Sequence, residues 1–375
     1  MHSQQTVVVG MSGGVDSSVS ALLLKQQGYQ VIALFMKNWE EQDEQGICRS
    51  AADYEDVRRV CEQLDIPYYA VNFVEEYRTQ VFSQFIADFK QGLTPNPDIL
   101  CNREIKFKVF LDKALELGAD FLATGHYCQN LKNNEGHCLV KGLDSQKDQT
   151  YFLYTTNRSI LQKVLFPVGG LVKNEVRRLA HLHQLATSDK KDSTGICFIG
   201  ERHFRTFLSQ YVAMQPGNFE TLQGKVVGTH LGAAYYTLGQ RKGLGIGGAG
   251  EAWFVVGKEM NRGVVFVEQG ADHPALYCDE LLAAQLSWIT EKPPALPFAC
   301  QSKVRYRQVD QPCVIQKIEE GQAWVTFSNP QRAVTPGQSV VFYDGTVCLG
   351  GGIIQQAGPS YYQLGKFLPE NMRAN

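Results

Sequence analysis

The sequence predicts an α/β domain with a parallel sheet, followed by a small β domain and a C-terminal β-barrel. Over the first ~125 residues, apolar strand-like runs alternate with segments that carry apolar residues at helical spacing. After about residue 215, short β-type runs separated by Gly- and Pro-rich turns replace this alternation. We therefore expect four parts: a parallel-sheet domain with linking helices, a central β domain, a barrel and a tail, at 1–212, 213–275, 276–360 and 361–375.

The elements of the first domain follow in order. Predicted strands cover residues 6–9, 30–36, 67–72 and 120–124. Predicted helices cover residues 16–27, 50–64, 75–90 and 102–117. Segment 172–211 is predicted as a helix, a loop and a second helix at 201–211. Ligands of such sheets bind beyond the carboxyl ends of the strands, which here are Gly10, Met36 and Gly125–His126.

The second half reads as strands and turns, with a break near residues 272–274. The predicted strands are 234–237, 253–256, 264–267, 303–307, 313–318, 323–327 and 339–343. Along the run 303–307, Lys303, Arg305 and Arg307 alternate, which predicts a basic face on one strand.

Composition limits the possible functions. The 375 residues are 44% apolar and 20% charged, with a formal net charge of −2, so a nucleic-acid partner requires a local basic face. Residues 173–205 provide a local excess of Lys and Arg. No apolar run approaches the ~20 residues that a membrane span needs. The ten cysteines form no C-x-x-C pair, and the N-terminus lacks an export signal, so we expect reduced thiols and a cytoplasmic protein.

A turn of small residues joins the first strand to the first helix. It reads GMSGGVDS and comprises Gly10, Met11, Ser12, Gly13, Gly14, Val15, Asp16 and Ser17. Such a turn presents backbone N–H groups at a helix N-terminus, which favours phosphate binding. It is neither a Walker A loop, which ends in Gly-Lys-Ser/Thr, nor the dinucleotide pattern G-x-G-x-x-G.

Two cysteines lie in loops that precede predicted helices. Cys101 ends a loop that two prolines stiffen, and a helix is predicted to begin at about that residue. A thiol at a helix N-terminus has a lowered pKa, and Asp98 is near enough in sequence to act as acid or base. Cys197 lies in a second loop, 191–200, which is followed by the predicted helix 201–211. We interpret the other eight cysteines as small buried apolar residues.

Together these motifs resemble those of the bacterial tRNA-specific 2-thiouridylase family, which belongs to the PP-loop ATP pyrophosphatases. The matching segments are 10–18 (GMSGGVDSS), 36–39 (MKNW), 94–102 (TPNPDILCN), 123–127 (ATGHY), 147–153 (KDQTYFL), 192–200 (DSTGICFIG) and 239–245 (GQRKGLG). The resemblance extends from the first strand to about Gly352, and only the first segment is shared with other PP-loop enzymes.

The resemblance implies a reaction. ATP, with Mg²⁺, would sit on the loop 10–17, with adenine near Met36 and Gly125. The C2 oxygen of the wobble uridine would be adenylated, with release of pyrophosphate. Cys197 would carry a persulfide, and Cys101 would act as nucleophile, with a disulfide between the two as an end state. Asp98 would handle the uridine proton, and Asn96, Pro97 and Asp98 would hold the flipped-out base.

The resemblance also implies partners. The substrates would be tRNAs of the Lys, Glu and Gln type, and sulfur would come from a persulfide-carrying relay protein or a cysteine desulfurase. Neither a tightly bound metal nor an iron–sulfur cluster is expected. Further tRNA contacts would be made by His126, Lys147, Asp148, Gln149, Arg305, Tyr306 and Gln338.

Three alternatives stay open at this point. A PP-loop synthetase acting on a small molecule explains the loop but needs neither special cysteine. An iron–sulfur tRNA thiolase would require C-x-x-C. A non-enzymatic RNA-binding protein with a vestigial nucleotide fold needs no intact loop. Turnover of ATP to AMP that depends on tRNA separates all three.

Overall fold

A computed structural model describes residues 4–39, 49–192 and 204–369. Its first sheet is parallel, and its strands lie in the spatial order β3-β2-β1-β4-β7. These strands are β1 (Thr6–Met11), β2 (Gln30–Lys37), β3 (Tyr68–Asn72), β4 (Phe121–Ala123) and β7 (Val164–Leu165). The predicted parallel sheet is therefore confirmed.

Seven helices occur among the described residues. Two of them contain a π-type segment: α3 runs through Val74–Tyr77, Arg78–Phe82 and Ser83–Lys90, and α4 through Pro97–Leu100, Cys101–Val109 and Phe110–Glu116. The others are α1 (Val15–Gln26), α2 (Arg49–Leu64), α5 (Arg158–Leu161), α6 (Lys173–Leu182) and α7 (Phe204–Leu208).

Helices cover both sides of the parallel sheet. Val7 and Val9 face a core shared with α1, α2 and α6, whereas Val8 faces a core shared with α3 and α4. All three valines are fully buried, which explains why the strand is uniformly apolar rather than alternating. The second core continues into the two β domains through residues such as Val255 and Tyr343.

The middle of the chain forms a four-stranded sheet in the order β10-β11-β8-β9. Its strands are β8 (Gly217–Glu220), β9 (Val226–His230), β10 (Trp253–Glu259) and β11 (Val264–Gln269). The predicted strand 234–237 is wrong, because Ala233–Tyr235 forms a 3₁₀ turn. The buried Tyr235 hydroxyl fixes this turn by donating to the Val212 carbonyl oxygen.

Six antiparallel strands form a closed barrel, because β12 pairs with both β15 and β17. They are β12 (Tyr277–Trp288), β13 (Phe298–Lys303), β14 (Gln311–Glu319), β15 (Gln322–Arg332), β16 (Ser339–Asp344) and β17 (Val347–Ala357). The hairpin of β5 (Cys128–Asn133) and β6 (Gly136–Lys141), which the sequence reading missed, extends the sheet from the edge of β17.

The predicted basic strand 303–307 is wrong. Strand β13 ends at Lys303, and the chain then turns, with Gln308 accepting from the Val304 N–H and Arg307 at a φ of 65°. Arg305 and Arg307 therefore do not share a strand face. No helix among the described segments is both long and apolar enough to cross a membrane.

Candidate active site

The turn between β1 and α1 is held by its own side chains and by glycine. The Ser17 hydroxyl accepts from the Ser12 N–H at 3.2 Å and donates to the Gly14 carbonyl oxygen at 3.1 Å. Gly13 has a φ of 73°, and a Cβ there would lie 2.5 Å from the Asp53 carbonyl oxygen. Only glycine fits this position, so the loop keeps its shape at the N-terminus of α1.

The ends of the neighbouring strands meet this turn. In the sheet register, Met11 pairs with Phe35 and Val9 with Ala123, so Met36 and Gly125 lie at the same sheet edge. A Cβ on Gly125 would lie 2.9 Å from the Ser17 nitrogen, so glycine is needed for β4 to approach α1. The residues predicted to hold ATP are thereby brought together, and their contacts with the nucleotide stay a prediction.

Lys173 reaches the start of α1 from helix α6. Its Nζ lies 2.7 Å from Asp16 Oδ1 and 2.8 Å from Asp192 Oδ1, and its side chain is only 10% exposed. The Tyr127 hydroxyl donates to the same oxygen of Asp16 at 2.7 Å. Burial and the Asp16 carboxylate raise the pKa of Tyr127, which keeps this donor protonated.

Two more cations surround Asp192. Arg177 Nη2 lies 2.6 Å from Asp192 Oδ1, and Lys147 Nζ lies 2.8 Å from Asp192 Oδ2. Burial raises the pKa of Asp192, but hydrogen bonds from Lys147 and Lys173 outweigh that effect and hold it at about 2. Three cations and two carboxylates thus adjoin a helix N-terminus, an arrangement suited to a polyphosphate and a divalent cation. We call Asp16, Lys147, Lys173, Arg177 and Asp192 the phosphate-side cluster.

The sequence reading missed Lys173 and Arg177 as site residues. In the sequence, they are distinguished only as members of the basic segment 173–205. Their i,i+4 spacing at the start of a predicted helix places both on one face, which was the available signal. Their shared partner Asp192 lies within the same segment, whereas Asp16, the second partner of Lys173, is 157 positions away.

Helix α4 begins earlier than predicted. Asn96 Oδ1 accepts from the Asp98 N–H at 3.1 Å, and Pro97 occupies the first helical position, so this pair forms an N-cap. Cys101 therefore lies one turn inside the helix, so its predicted position at the helix N-terminus is wrong. The Cys101 side chain is buried, at 2% exposure.

Asp98 and His126 face one lysine. Burial raises the pKa of Asp98, and the positive charge of Lys106 partly opposes this. Lys106 Nζ also lies 3.4 Å from His126 Nε2, while His126 Nδ1 lies 2.8 Å from the Thr124 hydroxyl. Burial and Lys106 lower the pKa of His126 well below its usual value, so the ring is neutral at pH 7. The role of Asp98 as a proton acceptor stays a prediction, and Lys106 is a neighbour that the sequence reading missed.

Cys197 lies outside the described residues, as does most of the loop 191–200. The predicted pairing of Cys101 with Cys197 therefore stays a prediction. In the described residues, no group of three or more His, Cys, Asp or Glu side chains is arranged to hold a metal ion.

Several predicted tRNA contacts have partners inside the protein. Asp148 is buried and accepts from the Gly142 and Thr150 N–H groups and the Thr150 hydroxyl. Gln149 Oε1 accepts from the Tyr127 N–H at 2.9 Å. These bonds order the corner 142–150, which contains Lys147. The side chains of Asp148 and Gln149 thus have a structural role that the sequence did not indicate.

The barrel residues also have internal partners. Arg305 Nη2 donates to the carbonyl oxygens of Leu238 and Ala333 and to the Thr335 hydroxyl, at 2.7, 3.1 and 2.9 Å. The Tyr306 ring lies 4.3 Å from that of Phe152, between centroids. Arg305 thus joins the middle and barrel domains, and its contact with RNA stays a prediction.

Comparison with known proteins gives matches along the whole chain. Three family models match: a tRNA methyl transferase HUP domain at 5–201, a tRNA methyl transferase PRC-barrel domain at 205–269 and an aminomethyltransferase β-barrel domain at 278–354. A tRNA-specific 2-thiouridylase MnmA from Protochlamydia amoebophila is 74% identical over 100% of both chains. The protein of the same name from Halalkalibacterium halodurans is 57% identical over 94% of this chain and 95% of its own. The chain belongs to the tRNA-specific 2-thiouridylase family.

Proposed function

We propose that this chain catalyses the ATP-dependent 2-thiolation of the wobble uridine of tRNA. The observation that carries the proposal is that two chemistries meet at residues 125–126. Gly125 packs against the phosphate-binding turn. His126 contacts Lys106, whose charge acts on Asp98, and both Lys106 and Asp98 lie on α4, the helix that contains Cys101. An adenylating site thereby adjoins a thiol and a proton acceptor. The names of the relatives cited above support tRNA as the substrate.

Adenylation is the first step. The C2 oxygen of the uridine attacks the α-phosphorus of ATP, the bond to the β-phosphate breaks, and pyrophosphate leaves. Lys173, with the backbone N–H groups of the turn, would stabilise the charge that develops on pyrophosphate. Mg²⁺ would offset charge on the same group, with the Asp16 carboxylate as its protein ligand. Asp98 would accept the uridine N3 proton.

Sulfur transfer follows. The terminal sulfur of a persulfide on Cys197 attacks C2, and AMP leaves with the former C2 oxygen. The Cys101 thiolate then attacks Cys197 Sγ, which breaks the S–S bond and leaves the sulfur on the uridine. A disulfide between Cys101 and Cys197 results, and an external thiol must reduce it before the next turnover. In this scheme, Asn96, Pro97 and Asp98 hold the extruded base.

Family membership specifies neither the tRNAs that are modified nor the sulfur donor. We propose tRNAs of the Lys, Glu and Gln type as substrates and a persulfide-carrying relay protein or a cysteine desulfurase as sulfur donor. We also propose a cytoplasmic site of action, where ATP and tRNA are available. His126, Arg305, Tyr306 and Gln338 would take part in tRNA binding.

The proposal is tested with the purified full chain, ATP, Mg²⁺ and unmodified tRNA of the Lys type, with a persulfide donor. Mass spectrometry of nucleosides should show 2-thiouridine, and AMP should form in equal amount and only when tRNA is present. AMP formation without tRNA would favour the small-molecule synthetase, and tRNA binding without AMP would favour the non-enzymatic protein.

A further inference from the structure

The segment that leads into helix α4 is held by the barrel domain. The Thr94 N–H donates to the Pro336 carbonyl oxygen at 3.1 Å, and Gln338 Nε2 donates to the Thr94 carbonyl oxygen at 2.7 Å. Gly337 lies between these partners at a φ of 89°, and a Cβ there would lie 2.8 Å from the Thr94 nitrogen. Both backbone polar groups of Thr94 are therefore bonded to one turn of the barrel.

The middle domain holds the same segment from another direction. Lys258 Nζ, on β10, donates to the Gly92 carbonyl oxygen at 2.5 Å. The Met260 sulfur packs so closely that a Cβ on Gly92 would lie 2.6 Å from it. The hydroxyls of Thr94 and Thr237 lie 3.4 Å apart. Lys258 is half-buried, and this burial lowers its pKa to about 8.

The held segment is close to the reacting groups along the chain. Asn96, whose side chain begins helix α4, is two residues beyond Thr94, and Asp98 is four residues beyond it. Pro95 and Pro97 fix φ on both sides of Asn96, so the connection is stiff. At a maximum of about 3.5 Å per residue, Asn96 lies within roughly 7 Å of Thr94. A displacement of Thr94 is therefore transmitted almost fully to Asn96 and Asp98, the residues proposed to hold the base.

We propose that Lys258 and Gln338 are positioning residues that hold the Gly92–Thr94 segment, and through it Asn96 and Asp98, in the reacting arrangement. This inference rests on the proposed function. It assigns to each β domain a part in the chemical step, in addition to any contact with RNA. Gln338, predicted from sequence as a tRNA contact, acts here through the Thr94 carbonyl oxygen.

The test compares Lys258→Met and Gln338→Leu with the wild-type chain. Lys225→Met serves as a control, because Lys225 is an exposed lysine of the same middle domain. A shift of ~1 Å in a reacting group costs up to about 100-fold in rate. We therefore expect kcat for 2-thiouridine to fall at least tenfold in both variants. The KM for ATP should stay close to wild type, because neither residue touches the phosphate-binding turn, and the Tm should fall only modestly, because each variant loses one hydrogen bond.

Hydrogen exchange followed by mass spectrometry gives a readout that is independent of activity. Amide exchange in residues 92–98 should be faster in both variants, while exchange in residues 10–20 should be unchanged. Faster exchange with kcat within twofold of wild type would overturn the proposal, as would unchanged exchange. A parallel loss of ATP affinity and Tm would indicate a general structural role and overturn it too. An inactive wild-type chain would instead reject the proposed function, and the exchange data would still report whether the two residues hold the segment.

Discussion

Lys173→Met should remove the cation that pairs with Asp16 at the start of helix α1 while leaving the size of the side chain nearly unchanged. In the native protein, the ammonium group lies 2.7 and 2.8 Å from the carboxylates of Asp16 and Asp192. Those carboxylates are about one-third exposed, at 32% and 31%, and Asp192 keeps Arg177 and Lys147 as partners. Only Asp16 therefore loses its cation, and it can recover water.

Two magnitudes follow from this geometry. Removal of one partner of a fully buried ion pair costs about 3–5 kcal/mol, and the exposure of the carboxylates reduces this to about 2 kcal/mol of stability. Removal of a group that stabilises transition-state charge costs about 10²–10³ in rate. We therefore expect a modest fall in Tm and a fall in tRNA-dependent AMP formation of at least 100-fold at saturating ATP.

A matched control separates catalysis from stability. Lys141 is also a largely buried lysine, with 14% side-chain exposure and Asp310 at 2.5 Å, but it lies in the hairpin beside the barrel. Lys141→Met should lower the Tm by a similar amount and leave AMP formation within about threefold of wild type. AMP formation within tenfold of wild type in Lys173→Met, or an equal loss in both variants, would refute a role for Lys173 at the pyrophosphate.

Four further predictions use the same assays. Asp16→Ala should abolish AMP formation and leave tRNA affinity nearly unchanged, and AMP formation in that variant would remove Asp16 as the proposed Mg²⁺ ligand. Because burial raises the pKa of Asp98, the folded state loses stability as pH rises from 3.8 through the raised value. Asp98→Asn should thus raise the Tm more at pH 7 than at pH 4 while thiolation falls, and an equal Tm change at both pH values would contradict this. Arg305→Ala should lower the Tm, because three acceptors lose their donor, and should reduce the salt slope of tRNA binding by about one, with an unchanged slope excluding a phosphate contact. Cys101→Ser should still accept a persulfide sulfur on Cys197 yet form no 2-thiouridine, whereas normal thiolation by this variant would reject the two-cysteine scheme.

Local sequence signals predicted the parts of the fold that depend on local interactions. The apolar run 7–9 predicted a fully buried strand, and the glycines at 13 and 125 stand where a Cβ would collide with a neighbouring backbone. The burial of that run follows from the local sequence alone, whereas the neighbours that require glycine, Asp53 at position 13 and Ser17 at position 125, are distant in sequence. The start of helix α4 is also a local signal, the Asn96–Pro97 cap, and the predicted start at about Cys101 overlooks it.

The missed features depend on distant contacts. Lys173 meets Asp16 across 157 positions, and Gln338 meets Thr94 across 244. Nothing in the neighbourhood of either residue distinguishes such a partner from solvent. Arg305 fits a basic strand by alternation, but the chain turns after Lys303, and the three acceptors of Arg305 lie in two distant segments, at Leu238 and at 333–335.

Transfer of the uridine C2 oxygen to AMP tests the central claim most directly. The substrate is a tRNA anticodon stem-loop with ¹⁸O at C2 of the wobble uridine, incubated with the full chain, ATP, Mg²⁺ and a persulfide donor in ordinary water. If the C2 oxygen is adenylated and sulfur then displaces AMP, each AMP released should carry one ¹⁸O and be about 2 Da heavier, in equal amount to 2-thiouridine. Formation of 2-thiouridine with unlabelled AMP would contradict adenylation at the C2 oxygen.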